Sequence, residues 1–203
     1  MPNQTSDPRS NIIESAKSVV AQQGVYNTTL QTIADEAGIS KGALYYYYKS
    51  KDSILYDMMD KDLSQSARLA KRARNQEVTP EEMKPLILKI IEERITKTDY
   101  NKLHIYLAQE ALLGNEELHD SYLKKYQEWA DSIEEVLMTV FGLKKSEMCR
   151  AMATLLLAAV DGLCIQELFG LHFVDREVLK KLGRLLLEGD PEAIRRELNG
   201  SGS

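Results

Sequence analysis

The sequence predicts an all-α protein, in which a small N-terminal helical domain precedes a larger helical bundle. Apolar residues recur every three or four positions in nearly every segment longer than a turn, which is the spacing of one helix face. No segment alternates apolar and polar residues between hairpin residues, as a half-buried β-strand would. With 203 residues, these helices can form one domain or a small domain joined to a larger one.

The first four helices are predicted from residues that start and stop helices. A capping side chain followed by proline opens the first helix, and a glycine ends it. Either of two adjacent threonines can cap the second helix, and Gln31 is placed to complete a capping box with the first of them. The fourth helix is long and runs to about residue 76. In chain order, the start residues are Asp7 with Pro8, Thr28 or Thr29, Ser40 and Ser50, and the stop residues are Gly24 and Gly38.

The larger bundle is predicted to begin at Thr79, where a cap, a proline and a capping-box glutamate follow in register. Glycines separate the helices that follow. We therefore place an N-terminal domain at 6–66, a C-terminal domain at 67–198 and a flexible tail of linker composition at 199–203. The long helices of the C-terminal domain are predicted at 80–97, 100–113, 116–141, 146–170 and 175–188.

Composition and spacing argue against several classes of protein. The net charge of −5 argues against charge-driven binding over the whole surface, although residues 1–51 carry five basic and four acidic side chains. Cys149 and Cys164 lack the close spacing of a zinc or redox pair, and the three histidines lack the spacing of a helical metal pair. We expect no catalytic site, no metal site and no cofactor.

The sequence also predicts a cytoplasmic protein without a membrane span. The N-terminal residues lack the apolar segment of a secretory signal. The longest apolar block, 151–160, lies between Arg150 and Asp161 and is much shorter than the roughly 20 residues that cross a bilayer.

Residues 29–48 contain the parts of a helix-turn-helix. Ile33 and Ala34 form the inner face of a short first helix, and the small Ala34 allows a second helix to approach closely. Gly38 tolerates the backbone angle of the turn, and Leu44 fills the junction from the second helix. This arrangement is typical of proteins that place the second helix in the major groove of DNA.

The second helix of this motif is basic and rich in hydroxyl groups. Residues 40–51 include three lysines and four consecutive tyrosines but no acidic residue. A helix turns about 100° per residue, so at most one or two of these tyrosines can share the buried side with Leu44. The others must face outward, where their hydroxyl groups and the lysines suit a phosphate backbone.

Residues 28–55 read Thr-Thr-Leu-Gln-Thr-Ile-Ala-Asp-Glu-Ala-Gly-Ile-Ser-Lys-Gly-Ala-Leu-Tyr-Tyr-Tyr-Tyr-Lys-Ser-Lys-Asp-Ser-Ile-Leu and resemble the TetR family of bacterial transcriptional regulators. The resemblance implies binding to a double-stranded DNA operator. It places the small Gly42 and Ala43 where they let the helix enter the groove deeply enough for Lys41 and Tyr45 to reach base edges. The implied groove-facing set is Lys41, Gly42, Ala43, Tyr45 and Tyr46.

The resemblance also implies contacts to the DNA backbone, through Thr29, Tyr46, Tyr47 and Lys51. Two positions depart from the usual pattern of the family, which often has a histidine or another polar residue at Tyr47 and phenylalanine at Tyr48. The ring of Tyr48 can still fill the core, but its hydroxyl then needs a partner or an exposed edge.

The family resemblance implies that the C-terminal bundle binds a small-molecule effector. The predicted helix 116–141 has an unusually aromatic face, which suits an apolar or aromatic effector, whereas a cation would need Glu110 or Asp161 to face inward. A packed core without a ligand is the alternative for each of these residues. The candidate effector-binding residues are His104, Tyr106, Gln109, Glu110, Tyr126, Trp129, Met138 and Met152.

The last two long helices are predicted to form a homodimer interface. The helix at 146–170 is apolar on nearly all sides and must be covered on both faces, for which a partner subunit is the economical explanation. The resemblance implies a four-helix interface built from two helices of each subunit. The candidate interface residues are Leu155, Ala158, Gly162, Leu182 and Leu186.

Together these expectations describe a homodimeric repressor that an effector releases from a palindromic operator. An activator or a ligand-independent regulator of the same fold is the nearest alternative. A small all-α enzyme is an alternative of another class, because Gly38-Ile-Ser-Lys-Gly42 fits the G-x-S-x-G pattern of a hydrolase. That pattern requires a strand before Ser40, which the sequence does not predict. A helical module that binds protein through its tyrosines is a third alternative.

Overall fold

A computed structural model describes residues 7–63 and 65–198, and within these ranges the regular structure is entirely helical, which confirms the all-α prediction. The predicted tail at 199–203 lies outside the described residues. The helices are α1 (Pro8–Asn27), α2 (Leu30–Glu36), α3 (Lys41–Tyr47), α4 (Lys51–Leu63), α5 (Gln65–Arg74), α6 (Pro80–Thr96), α7 (Thr98–Leu112), α8 (Glu116–Phe141), α9 (Glu147–Leu168), α10 (Arg176–Glu188) and α11 (Pro191–Leu198).

The chain forms two compact units whose boundaries do not follow the sequence in a single cut. Of the described residues, the first unit combines 7–63 with 102–124, and the second combines 65–101 with 125–198. Most of α7 and the first residues of α8 therefore belong to the first unit. The domain boundary predicted between residues 66 and 67 does not group 102–124 with the N-terminal residues. A boundary predicted along the sequence cannot show contacts between distant segments.

The predicted helix starts are formed by the expected side chains at several ends. Asp7 Oδ1 accepts a hydrogen bond from the Arg9 amide at 3.4 Å, and Pro8 occupies the first turn of α1. At α6, Thr79 Oγ1 accepts from the Glu82 amide at 3.3 Å, while Glu82 Oε2 accepts from the Thr79 amide at 2.8 Å. This reciprocal pair is the predicted capping box.

The cap of α2 differs in detail from the predicted pairing with Gln31. Thr29 is the cap, because its Oγ1 accepts from the Thr32 amide at 3.1 Å and Thr32 Oγ1 accepts from the Thr29 amide at 3.0 Å. Thr28 is buried and donates its hydroxyl to the Gly24 carbonyl at 2.8 Å, so it does not cap α2. Gly24, at φ +79°, has a non-helical backbone, so the regular helix ends there as predicted, and a further turn beyond this kink reaches Asn27.

The core of the first unit is formed by α1, α2, α3 and α4 together with apolar residues of α7 and α8. Helix α1 packs against α2 and α4, and α2 packs against α3. The Tyr56 hydroxyl donates to the Ser121 carbonyl at 3.0 Å, which ties the start of α8 to α4. The fully buried side chains of this unit include Ile12, Ile33, Leu44, Ile54, Leu55, Met59, Leu103 and Leu107.

The second unit is built around α6, which packs against α5, α9 and α10. Its approach to α10 is close at Gly183, where an added Cβ would lie 2.9 Å from Leu88 Cδ2. Lys180 of α10 forms an ion pair with Glu92 of α6 at 2.5 Å. One apolar cluster contains Leu69, Ala70, Val78, Met83 and Val136, and a second contains Leu137, Cys149 and Ala153.

Helices α9 and α10 leave much of their apolar surface exposed. Met148 and Leu155 of α9 are 79% and 71% exposed, and Val178 and Leu186 of α10 are 55% and 52% exposed. Among the described residues, α9 is the helix that is long and apolar enough to cross a membrane by length and composition alone. That criterion is also met by interface and core helices of helical bundles, and α9 packs against α6.

Candidate nucleic-acid interface

Helix α3 is held at its start by a capping serine and along one side by Leu44. Ser40 Oγ accepts a hydrogen bond from the Ala43 amide at 3.1 Å. Leu44 is completely buried, whereas Lys41, Gly42 and Ala43 are exposed in the first turn. The residues predicted to face the groove at the start of α3 therefore lie on the surface, whereas Leu44 anchors the helix in the core.

The four consecutive tyrosines divide between the surface and the core, as expected from a rotation of about 100° per residue. Tyr45 is 47% exposed and Tyr46 is 85% exposed, whereas Tyr47 is half-buried and Tyr48 is only 5% exposed. Tyr46 and Tyr47 pack edge to face with ring centroids 5.2 Å apart. The ammonium of Lys41 lies 5.9 Å from the centroid of the Tyr45 ring, so these two side chains form one polar and aromatic surface.

Tyr48 meets the requirement that a buried phenol finds a partner. Its hydroxyl donates to Asp57 Oδ2 of α4 at 2.8 Å, and the Arg9 guanidinium of α1 lies 5.5 Å from the ring centroid. Burial and the neighbouring Asp57 carboxylate raise the pKa of Tyr48 far above its ordinary value. The tyrosine therefore ties the end of α3 to α4 and α1.

The predicted phosphate-binding residues have different environments. Thr29 is exposed at the start of α2, where helix amide groups favour an anion. Lys51 is half-buried, donates from Nζ to the Val25 carbonyl at 3.3 Å and lies 5.2 Å from the ring centroid of Tyr106. An ammonium group has three donors, so the bond to Val25 is compatible with a phosphate contact, which stays a prediction.

A polar cluster beside Lys51 was not predicted as a unit from the sequence. The Tyr106 hydroxyl donates to Asp52 Oδ1 at 3.4 Å, and Asn115 Nδ2 donates to Asp52 Oδ2, also at 3.4 Å. Tyr26 packs edge to face on Tyr106 at 5.3 Å. Burial and the nearby Asp52 carboxylate raise the pKa of Tyr106 to about 12. Only the three-dimensional structure brings residues of α4, α7 and the loop before α8 together here.

The eight residues predicted to bind an effector are divided between the two units. His104, Tyr106, Gln109 and Glu110 belong to the first unit, and the other four belong to the second. His104 is buried, and its Nδ1 lies 3.4 Å from the sulfur of Met59. The backbone carbonyl of His104 accepts a hydrogen bond from the Tyr122 hydroxyl at 2.9 Å. The sequence could not distinguish these positions because both groups lie on amphipathic helices.

In the second unit, Tyr126 and Trp129 do lie together, with ring centroids 5.1 Å apart. Trp129 is buried, and the Tyr126 hydroxyl donates to Asp161 Oδ2 at 2.9 Å. Met138 instead packs against the cluster around Leu137, and Met152 is 37% exposed.

Asp161, whose environment the sequence left open, is part of a polar cluster in the second unit. The Arg94 guanidinium of α6 forms an ion pair with Asp161 Oδ1 at 3.5 Å and also contacts Asn101 Oδ1 and, at 3.3 Å, Cys164 Sγ. Burial raises the pKa of Asp161 above its ordinary value, against the opposing effects of Tyr126 and Arg94. These five side chains, from α6, α7, α8 and α9, are here called the Arg94–Asp161 cluster.

Ser40 is not arranged as a hydrolase nucleophile. It caps α3 between two helices, and the part of the chain covered by the structure has no strand to form a nucleophile elbow. Across residues 7–63 and 65–198, no group of three or more histidine, cysteine or acidic side chains is placed to hold a metal ion.

The sequence around this surface is similar to known regulatory proteins. The family model described as "Bacterial regulatory proteins, tetR family" matches residues 12–58. The HTH-type transcriptional repressor KstR2 of Mycolicibacterium smegmatis is 34% identical over 58 residues, which are 29% of this chain and 28% of that protein. The HTH-type transcriptional regulator TtgR of Pseudomonas putida is 30% identical over 94 residues, which are 45% of each chain. The matches thus span less than half the length of these relatives.

A solved structure extends the similarity of fold beyond the matched sequence segment. Thermus thermophilus FadR, a TetR-family transcriptional repressor in complex with lauroyl-CoA, superposes with a TM-score of 0.65 at 22% identity. The superposition covers 89% of this chain and 94% of FadR. At this level of identity the comparison supports the fold, including the helices that follow the helix-turn-helix.

Proposed function

Because this chain belongs to the tetR family of bacterial regulatory proteins, we propose that it is a sequence-specific DNA-binding transcriptional regulator. The observation that carries the proposal is the face of α3. It exposes Lys41, Gly42, Ala43, Tyr45 and Tyr46 while Leu44 and Tyr48 anchor the helix from the other side. The named relatives are regulators of transcription, which favours this function over the enzyme alternative.

Within this function, α3 reads bases and the residues around it hold the DNA backbone. The small Gly42 and Ala43 permit close approach to the groove floor, where Lys41 and Tyr45 contact base edges. Thr29 at the start of α2, Tyr46, Tyr47 and Lys51 contact phosphates, which fix the orientation of α3 without selecting a sequence.

We also propose that the regulator acts as a homodimer in the bacterial cytoplasm. The exposed apolar side chains of α9 and α10 support this, since a protein rarely leaves such a surface uncovered. Leu155, Ala158, Gly162, Leu182 and Leu186 form the interface in this proposal. Two copies of α3 related by a twofold axis then read half-sites about one helical turn apart, so the operator is close to palindromic.

The regulator is proposed to be a repressor that a small, largely apolar effector releases from DNA. Two comparisons support this part: KstR2 is named a repressor, and FadR is a repressor solved with a bound acyl ligand. An effector acts by binding one conformation of the protein better than another, and the shift in population then lowers the affinity for the operator.

Selection of bound fragments from a random duplex pool tests the DNA-binding function directly. We expect enrichment of a near-palindromic sequence, and a logarithm of affinity that falls linearly with the logarithm of salt concentration. Placing the enriched sequence between a promoter and a reporter gene then distinguishes repression from activation. Recovery of no preferred sequence at low salt would contradict the proposal and favour a protein-binding role for the tyrosines.

A further inference from the structure

We propose that the Arg94–Asp161 cluster binds the carboxylate of a small amphipathic effector, which replaces the Asp161 carboxylate on the Arg94 guanidinium. The inference rests on the proposed function, because it assigns the chemistry of the effector. It adds a ligand charge and one residue, Arg94, that the sequence did not place at an effector site, and it gives Asp161 a role other than contact with a cation.

The placement of the cluster is the first argument for a binding site. The half-buried ion pair between Arg94 and Asp161 contributes little to stability compared with apolar side chains of similar volume, so stability alone does not account for it. Side chains of α6, α7, α8 and α9 converge here, and the rings of Tyr126 and Trp129 lie beside them. Apolar walls with a few convergent polar groups are the usual composition of ligand sites between helices.

The guanidinium is the fixed member of the ion pair. Arg94 is held by Asn101, which is 1% exposed and whose own amide group donates to the carbonyls of Arg94 and Ile95 at 3.1 and 2.9 Å. The Arg94 side chain is 15% exposed and that of Asp161 is 23% exposed, so the carboxylate is the more accessible partner. Arginine also keeps its charge throughout the physiological pH range.

Charge favours an anion over a cation at this position. A cationic ligand beside Asp161 would be repelled by Arg94, whereas a ligand carboxylate would accept hydrogen bonds from the guanidinium in place of Asp161. Two other groups near Asp161, the Tyr126 hydroxyl and the Cys164 thiol, add no charge, because burial raises the pKa of both. The raised pKa of Asp161 lets it take up a proton when the ligand arrives.

This exchange gives the affinity a definite pH dependence. Protonation neutralises Asp161 and leaves Arg94 available to the ligand, so affinity for a carboxylate increases as the pH falls toward the pKa of Asp161. Affinity decreases as the pH rises, because the charged Asp161 then competes for the guanidinium. The variant Asp161→Asn imitates the protonated side chain and removes this competition.

The full chain allows a direct measurement, because Trp129 is the one tryptophan in the sequence and lies against Tyr126. Its fluorescence is titrated with octanoate, octanol and octylammonium, which share one apolar body and differ in head-group charge. We expect octanoate to bind most tightly, and more tightly at the lower of two pH values at which the probe itself is still ionised. Octanol binding as tightly as octanoate, or no response to octanoate, would overturn the proposal.

Variants assign the effect to the two charged residues. Arg94→Gln is expected to weaken octanoate binding about 10- to 150-fold, the range of a hydrogen bond to a charged group. Asp161→Asn is expected to retain octanoate binding and to abolish its pH dependence. Arg74→Gln is the matched control, since Arg74 forms its ion pair with Glu135 at the surface of α5, and it should leave binding unchanged.

Two outcomes separate this proposal from its rivals. If octylammonium binds best and Asp161→Asn abolishes its binding, the site takes a cation and the proposal is wrong. If Arg94→Gln fails to fold, the order of the three probes on the unmodified protein still decides. Binding of the selected operator is measured in the same samples without probe, so loss of duplex binding contradicts the proposed function and a missing octanoate response contradicts only this inference.

Discussion

At the scale of single residues, Tyr48 shows how a polar atom is accommodated at the end of α3. Its ring fills the core at 5% exposure, and its hydroxyl reaches Asp57 on the next helix. A phenylalanine would fill the same space without the hydrogen bond. The tyrosine therefore couples the position of α3 to α4 more strongly than packing alone.

Replacing Tyr48 tests the two contributions separately. Tyr48→Phe should lower the free energy of unfolding by about 0.5–1.5 kcal/mol, and Tyr48→Ala by about 3–5 kcal/mol, because the second change also empties the core. Urea denaturation measures both, and Tyr46→Phe, at an 85% exposed position, should change nothing. Equal stability of both Tyr48 variants would contradict a core position.

The stability of the unmodified protein should also fall above about pH 10, where Tyr48 of the unfolded chain ionises before Tyr48 of the folded protein.

Lys41 is predicted to read bases, since it is exposed in the first turn of α3 beside Tyr45. Lys41→Ala should weaken binding to the selected operator by about 1–3 kcal/mol and relax the preference at one or two base pairs. A repeated selection with the variant measures the preference. An unchanged selected sequence would place Lys41 on the DNA backbone instead.

Lys51 combines a predicted phosphate contact with an observed bond to the Val25 carbonyl. Lys51→Ala should weaken binding to all duplexes and reduce the slope of log affinity against log salt by about one. The loss of the Val25 bond should in addition lower thermal stability. Salt titrations with Lys49→Ala, an exposed neighbour, are the control. If stability falls while the salt slope stays the same, Lys51 has only a structural role.

At the scale of secondary structure, two glycines four residues apart in the helix-turn-helix have opposite roles. Gly38 lies in the turn at φ +67°, a conformation that other residues rarely adopt. Gly42 lies within α3, and an added Cβ would meet only Ser40 Oγ at an ordinary 3.9 Å. The first glycine is required by the backbone, whereas the second is explained by close approach to DNA.

Alanine at the two positions should therefore separate folding from binding. Gly38→Ala should lower the free energy of unfolding by about 1–2 kcal/mol, because the turn forces a left-handed conformation on a residue with a Cβ. Gly42→Ala should raise stability by about 0.5–1 kcal/mol and yet weaken operator binding, because the methyl group holds α3 away from the groove. Denaturation and duplex titration measure the two effects. Unchanged affinity in Gly42→Ala would mean that this position does not face DNA.

The helices were predictable from the sequence because their signals are local. Ser40 and Thr79 cap the helices as expected, and the exposure of Tyr45 to Tyr48 follows from the angle per residue. Contacts between distant positions could not be predicted in this way. The bond from Lys51 to Val25 and the pairing of Arg94 with Asp161 depend on how helices pack, and neither leaves a pattern in a single sequence.

At the scale of the whole molecule, the exposed apolar faces of α9 and α10 make self-association testable. Leu155→Glu and Leu182→Glu should each weaken the dimer about 30-fold or more, since a buried charge at an interface has no partner there. Sedimentation gives the association constant, and operator affinity should fall with it. Leu112→Glu, at an 80% exposed position near the end of α7, is the control. A Leu155→Glu protein that remains dimeric would exclude α9 from the interface.

The return of residues 102–124 to the first unit has a consequence for protein synthesis. Leu103, Leu107, Leu118 and Tyr122 are buried in that unit, so its core stays incomplete until about the first 124 residues have emerged from the ribosome. A nascent chain arrested soon after the helix-turn-helix would still expose the apolar sides of α1 and α4 to chaperones. For the same reason, transferring this DNA-binding unit to another protein requires residues 102–124 as well as the N-terminal helices. A simple truncation after α4 would not preserve its core.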